Sequence, residues 1–434
     1  MLDPFLYDIP LRLHLTDVST MMLLSQVDAP RTYSQNAVNK RHVYRSLEML
    51  RAVCALVVFG NHLFSLVDGA HTPTIASLVF NYATEAVICF FVLSGCVIAL
   101  QNYPSKKAYL KARAVRILPI YYFSIVFTVL VMTLASHPIK VKSVVGNVFF
   151  LQTLQGDIVS PLSFNAPLWS LSYEAFYYLL FALILWRPRF FKVALLGSIL
   201  LGISTYVIPV RVGLAAFIIR IGSLFCIWLL GVLAVRSFRR GVTVSTTDAV
   251  LLVAIGFCLS RVWLSKDFYD FFRLSMFGVG CAALCSSLLG EESISANLRS
   301  VAPKAMPVFV RLTLAVAVGT IFWSKSPSLH STKLTLRIGL AAATLVPRLI
   351  AYAVRRAITV IASPLSTVGK LSYALYLVHY PMIELVNYSL CRMPTIGKML
   401  SAAAASILLA YFLDLVVQKR IRRWITRPGV LAPS

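Results

Sequence analysis

Charged residues are scarce in this chain of 434 residues, at 13% of the total. Soluble domains usually contain about 25% charged residues. Hydrophobic residues instead make up 59% of the sequence. The length alone would allow two or three soluble domains, but this composition argues against that class and favours one large domain embedded in a membrane.

Acidic residues are scarcer than basic ones, because the chain has 16 Asp and Glu against 41 Lys and Arg. The formal net charge is therefore +25. Such an excess is compatible with binding nucleic acid, or with the basic loops that orient a membrane protein. The basic residues cluster between apolar runs. We therefore favour the second interpretation and expect no nucleic-acid partner, although some basic side chains remain candidates for binding an anionic ligand.

Three sequence signatures are missing. None of the eight cysteines forms a CxxC pair, and no histidine joins Cys281 and Cys285, so we expect no metal site and interpret the cysteines as small core residues. No G-x-S-x-G sequence occurs, which argues against a serine-hydrolase triad. Residues 1–40 do not resemble a signal peptide, because Asp3, Asp8 and Asp17 interrupt them.

Long apolar runs, by contrast, are abundant. A spanning helix needs about 20 mainly apolar residues. The candidate segments are 47–67, 79–100, 115–136, 170–186, 191–209, 212–235, 248–264, 272–290, 305–323, 338–354, 371–389 and 397–418. Because some are short or charged, we predict ten to twelve spans in an all-α, polytopic transmembrane helical bundle. This membrane domain would cover residues 45–423, between an N-terminal extension at 1–44 and a short tail at 424–434.

Basic segments between the apolar runs predict the orientation. They are 40–46, 105–116, 187–192, 236–240, 355–370 and 419–427. With twelve spans all of them fall on one side, which the positive-inside rule makes cytoplasmic. Both termini would then be cytoplasmic. These basic segments, with no cleavable signal, fit the inner membrane of a bacterium.

The first predicted span contains ionisable residues at helical spacing. At 100° per residue, Glu48, Arg51 and His62 share an arc of about 60° on one helix face. Charge within a bilayer is costly and usually faces a bundle interior or a wet cavity. This face is therefore a candidate site, with an interfacial pair of Glu48 and Arg51 as the structural alternative.

A second basic group consists of Arg113 and Arg116, three residues apart in a stretch predicted to be cytoplasmic. Two guanidinium groups there could bind phosphates bidentately. They could equally anchor the helix in the headgroup region. Spacing alone does not separate the two interpretations.

Two later segments contain polar residues within apolar, aromatic helices. Glu174 lies about one turn into a helix that begins near Trp169, where an acidic residue is a functional candidate or the partner of a structural arginine. Ser372, Tyr376 and His379 recur at i, i+4 and i+7, so they line one face. His379 is either part of the site or a hydrogen-bonded helix contact.

Five motifs, taken in this order, resemble those of the membrane acyltransferase-3 family of sugar O-acyltransferases. They are Arg51 with ten residues before His62, FFVLSG at 90–95, Arg113-Ala-Val-Arg116 before Ile-Leu-Pro, WSLSYE at 169–174, and SYALYLVHYP at 372–381. The resemblance covers about residues 45–423. Many relatives have Asp at the position of Glu48 and Trp at that of Val378, so this chain departs from the family pattern at both.

The resemblance implies transfer of an acyl group, commonly acetyl, from acyl-CoA on the cytoplasmic side to a hydroxyl of a carbohydrate or lipid-linked glycan. It also implies functional roles for Arg51, His62, Arg113 and Arg116, of which we predict that the three arginines bind the donor. No tightly bound cofactor is expected, because acyl-CoA is the donor substrate.

The chemistry of acyl transfer suggests further roles. A histidine titrates near neutrality, so we predict His62 as the general base, with Glu174 and Glu48 as additional catalytic residues. A covalent acyl-histidine route remains an alternative. The residues that we expect to bind substrate are Trp169, Ser172, Tyr376 and His379.

The competing function is transport of a sugar, lipid or ion, with the intramembrane Arg, His and Glu residues as a relay. The sequence has no evident two-fold repeat, which disfavours a transporter.

Overall fold

The regular elements of the protein are helices. The computed structural model describes residues 33–67, 82–153, 159–185, 187, 189–208, 213–260, 270–291 and 347–425. Within these residues every regular element is helical, which confirms the predicted all-α class. In chain order they are α1 (Tyr33–Val67), α2 (Ala83–Leu100), α3 (Lys106–Leu134), α4 (Val141–Val148), a 3₁₀ helix (Ser163–Leu168), α5 (Trp169–Leu185), α6 (Phe190–Ser204), α7 (Gly213–Arg239), α8 (Thr246–Leu259), α9 (Phe271–Glu291), α10 (Pro347–Ser389), α11 (Thr395–Tyr411), a π-helical segment (Phe412–Gln418) and α12 (Lys419–Ile425).

Six helical stretches of the described residues are long and apolar enough to cross a membrane. They are α1 from Arg45 onward, α2, α3, α7, α9 and the run from α11 into α12. Helices α6 and α8 are apolar but shorter, at 15 and 14 residues. The chain is therefore an integral, multi-pass membrane protein. The predicted span 305–323 and the first half of 338–354 lie outside the described residues.

The basic segments expected between spans are largely helical in the structure. Helix α1 includes residues 40–46, α3 begins with residues 106–116, and α12 consists of residues 419–425. The segment 355–370 lies inside α10. Hydropathy marks where the apolar surface ends, whereas a helix continues as long as its backbone bonds are made. Helix α10 has 43 residues, so it is about 65 Å long, twice the thickness of a hydrocarbon core. The predicted segment 371–389 is thus the second half of a longer helix.

Serine side chains mark where two of the helices begin. The Ser105 side chain accepts a hydrogen bond from the backbone N–H of Ala108, which caps α3. Ser245 does the same for Asp248 at the start of α8. Such N-caps satisfy amide groups that have no partner within the helix. The α3 cap matters for the site, because it starts the helix that carries Arg113 and Arg116.

Two glycines bring α2 and α7 into backbone contact. A Cβ atom on Gly95 would lie 2.1 Å from the carbonyl oxygen of Trp228, and one on Gly231 would lie 2.0 Å from that of Val92. Any side chain at either position would push the helices apart. Small residues serve this purpose at helix interfaces in membranes.

Candidate active site

A partly open cavity, of about 730 Å³ when the open solvent within it is included, lies between α1, α2, α3, α5 and α10. Its apolar wall comes mainly from α2, with Phe90 and Phe91 among its residues. The polar side chains that line it are Arg51, Ser94, Arg113, Arg116, Ser170, Glu174, Tyr178, Ser372, Tyr373 and Tyr376. All five motifs therefore contribute to one cavity, the last of them through Ser372, Tyr373 and Tyr376.

Three guanidinium groups, those of Arg51, Arg113 and Arg116, line the cavity against one carboxylate, that of Glu174. Arg113 is buried, and its Nη2 donates to Gln101 Oε1 at 2.9 Å and to the Tyr103 hydroxyl at 2.8 Å. These two bonds hold the guanidinium in place with neutral partners. With three guanidiniums to one carboxylate, the lining keeps an excess of positive charge, and this part of the cavity suits an anion.

The Glu174 carboxylate is held by two hydroxyl groups. Ser94 Oγ donates to Glu174 Oε1 at 2.9 Å, and the Tyr178 hydroxyl donates to the same oxygen. Ser94 comes from α2, whereas Tyr178 lies one turn after Glu174 on α5. Two donors on one carboxylate oxygen fix the orientation of this side chain inside the membrane domain.

His62 of α1 and His379 of α10 are hydrogen-bonded to each other, although 317 positions separate them in the chain. The distance from His62 Nδ1 to His379 Nε2 is 3.0 Å. His379 is fully buried, and its Nδ1 lies 3.0 Å from the Leu375 carbonyl oxygen. A carbonyl oxygen only accepts, so Nδ1 of His379 carries the proton. With both rings neutral, His62 Nδ1–H donates to His379 Nε2, and His62 carries its basic lone pair on Nε2.

The histidine pair and the arginines occupy different parts of the site. Neither histidine lines the cavity, and His62 lies eleven residues after Arg51, about 16 Å further along α1. Tyr376 joins the two parts, because it lines the cavity while its ring centroid lies 6.0 Å from that of His379. The Tyr376 hydroxyl is itself fixed, 2.9 Å from the Pro167 carbonyl oxygen.

A comparison with family models agrees with this geometry. Residues 44–415 match the acyltransferase-3 model, which is described as an acyltransferase domain. The chain belongs to the acyltransferase-3 family. It is therefore a membrane-bound acyltransferase that acts on groups other than aminoacyl groups, and a transporter is not favoured. No curated protein and no solved structure matches the chain.

Glu48 lies beside this acyltransferase's cavity and does not line it. Its carboxylate is half-buried and interacts electrostatically with Lys370, Arg51 and Arg116. Gly369 lets α10 rest directly on this turn of α1, since a Cβ there would lie 1.9 Å from the Glu48 carbonyl oxygen. Glu48 thus lies behind the arginines, where it balances part of their charge.

Trp169 and Ser172 do not line the cavity either. The Trp169 ring packs edge-on against Phe91, with centroids 6.4 Å apart. Ser172 is buried, and its hydroxyl lies 2.8 Å from Thr153 Oγ1 and 2.5 Å from the Phe150 carbonyl oxygen. Both pack outside the lining of the cavity, and a direct contact with substrate remains a prediction for them.

Sequence reasoning did not assign Ser94 and Tyr178 to the site. A single serine such as Ser94 in an apolar helix has no distinctive pattern. The available signal was its place in the FFVLSG motif. Tyr178 lies four residues after Glu174, the spacing at which helix side chains meet.

The prediction that the cysteines are core residues is confirmed for seven of the eight. Seven cysteines are buried, as predicted, while Cys391 is exposed because it lies in the turn after α10, so the prediction was wrong for it. Among the residues that the structure describes, no three metal-ligating side chains lie together.

Proposed function

We propose that this acyltransferase moves an acyl group, acetyl in the simplest case, from acyl-CoA to a hydroxyl of a carbohydrate or lipid-linked glycan. The observation that carries the proposal is one cavity with three guanidiniums and, beyond its Tyr376 wall, a hydrogen-bonded histidine pair. Acyl-CoA carries its phosphates far from its thioester. The phosphates could therefore lie at the arginines while the thioester lies at the histidine pair. The acceptor class comes from the family resemblance.

The arginines would bind the phosphates. Arg113 and Arg116 project from one turn of α3 and Arg51 faces them from α1, so phosphate oxygens could accept from several N–H groups at once. The first turns of α3 also carry Lys106, Lys107 and Lys111, as the cytoplasmic end of a span should. We assign this end to the cytoplasm, where acyl-CoA is found, and the bilayer to a bacterial inner membrane.

Transfer would then occur at the histidine pair. His62 Nε2 removes the proton from the acceptor hydroxyl as its oxygen attacks the thioester carbonyl carbon. The tetrahedral intermediate collapses, the carbon–sulfur bond breaks, and the thiolate leaves with the proton from His62. His379 keeps His62 in the tautomer that presents Nε2, the role of an orienting partner in other acyl-transfer sites.

Glu174 would face the acceptor. Its carboxylate lines the cavity and is held by Ser94 and Tyr178, so it is oriented to accept hydrogen bonds from sugar hydroxyls. Glu48, which does not line the cavity, would act indirectly. It would orient Arg51 and reduce the repulsion between Arg51 and Arg116. Tyr376 would border the path between the bound donor and the histidines.

The test is to incubate the purified protein in lipid nanodiscs with radiolabelled acetyl-CoA and a membrane extract. We expect free thiol to appear together with label on glycan or glycolipid, and mass spectrometry should locate the added acetyl mass. Label on the protein itself, before acceptor is added, would instead support the acyl-histidine route. Thiol release that is absent with every acyl-CoA tried would contradict the proposed donor.

A further inference from the structure

Two parts of the site, the arginines of α3 and His379 of α10, are each followed closely by a proline inside the same helix. Pro119 comes three residues after Arg116 in α3, and Pro381 comes two residues after His379 in α10. Proline has no backbone N–H, so the carbonyl four residues earlier loses its helical donor. The carbonyls concerned are those of Val115 and Leu377, and a buried carbonyl without a donor is costly.

Each of these carbonyl groups receives a side-chain amide from a distant part of the chain. Gln418 Nε2 donates to the Val115 oxygen at 2.6 Å and to the Arg116 oxygen at 3.3 Å. Asn165 Nδ2 donates to the Leu377 oxygen at 3.1 Å. The partners are 303 and 212 positions apart, so tertiary packing creates both contacts.

The two amides are buried and committed to this contact. Gln418 is 4% exposed and Asn165 is fully buried. The second hydrogen of Asn165 Nδ2 goes to Thr128 Oγ1 at 3.0 Å. The side-chain oxygens of Gln418 and Asn165 have no donor among the described residues, so each side chain is held through its NH₂ group alone.

Irregular backbone aims both amides. Gln418 is the last residue of the π-helical segment Phe412–Gln418, and Asn165 has a non-helical conformation, φ −156° and ψ 56°, inside the 3₁₀ helix. Helical irregularities of this kind are frequent at functional sites because they redirect a side chain. Here each one redirects an amide to a carbonyl that a proline has freed.

We propose that Gln418 and Asn165 are positioning residues that replace the hydrogen bonds missing at Pro119 and Pro381. Gln418 holds the turn of α3 that carries Arg113 and Arg116, and thereby sets donor affinity. Asn165 holds the turn of α10 that carries His379, and thereby sets the rate of transfer. These consequences rest on the proposed function, whereas the replacement of the hydrogen bonds does not.

The experiment for Gln418 is a rescue. In Gln418→Leu, and in the nearly isosteric Gln418→Glu, which as a carboxylate cannot donate, we expect acetyl-CoA to bind about tenfold more weakly in nanodiscs. Adding Pro119→Ala returns a backbone N–H to the Val115 carbonyl, so the double variants should regain most of the lost affinity. Additive losses in both double variants would overturn the proposal.

Gln152 is the matched control. Its Nε2 donates to the Leu168 oxygen at 2.7 Å, and it is fully buried, but residue 172 is a serine with its own N–H. Gln152→Leu therefore removes a similar buried bond without a proline beside it. Pro119→Ala should leave this variant's affinity for acetyl-CoA unchanged, and an equal rescue there would contradict the assignment to Gln418.

Asn165 should show the opposite kinetic pattern. We expect Asn165→Leu to lower kcat about tenfold with little change in the affinity for acetyl-CoA, and Pro381→Ala to restore most of kcat. A lower kcat with no rescue would overturn this half of the proposal.

Thermal unfolding tests the replacement of the hydrogen bonds independently of the proposed donor. If the unaltered protein binds no acetyl-CoA, the proposed donor is wrong, and melting temperatures of the same single and double variants still decide whether each amide replaces the missing bond. Destabilisation by Gln418→Leu that Pro119→Ala relieves supports the replacement. Simple additivity of the two shifts overturns it.

Discussion

The arginine part and the histidine part of the site are built in opposite ways. Arg113 and Arg116 are neighbours in sequence on one helix turn, and with Arg51 they line an open cavity. His62 and His379 come from helices far apart in the chain, make one direct hydrogen bond, and lie outside that cavity. Binding of an anion depends on the sum of several charges, whereas proton transfer depends on one geometry. Losses should therefore be graded in the first part and severe in the second.

The largest effect should follow from His62→Ala. We expect acyl transfer to fall about 1,000-fold, because the proton on the acceptor hydroxyl loses its base. Donor binding should hardly change, since Arg51 and its partners lie about 16 Å away along the helix. Transfer from radiolabelled acetyl-CoA and a separate binding measurement check both parts.

A matched control for that variant is His137→Ala. The His137 ring packs on Phe164 outside the cavity, with centroids 4.5 Å apart. It should transfer acetyl at the normal rate. Near-normal turnover in folded His62→Ala would remove His62 from the role of base.

His379→Leu should come next, with a loss of roughly 100-fold in kcat. Leucine cannot accept the hydrogen bond from His62 Nδ1, so the tautomer with a basic Nε2 is less favoured. The affinity for acetyl-CoA should stay the same. If the variant instead weakens donor binding and leaves kcat intact, the two parts of the site are not divided as we describe.

Arg113→Gln and Arg116→Gln should each weaken acetyl-CoA binding about tenfold, the usual consequence of losing charge-assisted hydrogen bonds. Their kcat at saturating donor should change little. Lys111→Gln is the control, because Lys111 is exposed on the same helix and carries the same charge. Equal losses in all three variants would indicate a general effect of charge, and no phosphate site.

The smallest effect should come from Ser94→Ala, with about a fivefold loss in transfer. Glu174 loses one of two donors and keeps Tyr178. Ser124→Ala removes a hydroxyl that donates within α3, to the Tyr121 carbonyl oxygen, and should have no effect on transfer. A loss as large as that of His379→Leu would place Ser94 in the chemistry itself.

Several features of this comparison could be predicted from the sequence. Composition and apolar runs predicted the all-α membrane bundle, and 3.6-residue periodicity put Arg51 and His62 on one face of α1. Helix boundaries were less accurate at the basic segments, because hydropathy reports on the solvent around a helix and not on where its backbone bonds end.

What the sequence by itself determined is local: which side chains share a helix face, and which motifs the chain has in common with its family. Only the tertiary structure decided that Ser94 meets Glu174, that His379 meets His62, and that Gln418 meets the carbonyl freed by Pro119. The physical reason is that helical periodicity repeats every few residues, whereas these contacts span 80 to 317 positions. They exist only after the helices have packed, so the histidine pair, like the other two contacts, is created by the fold.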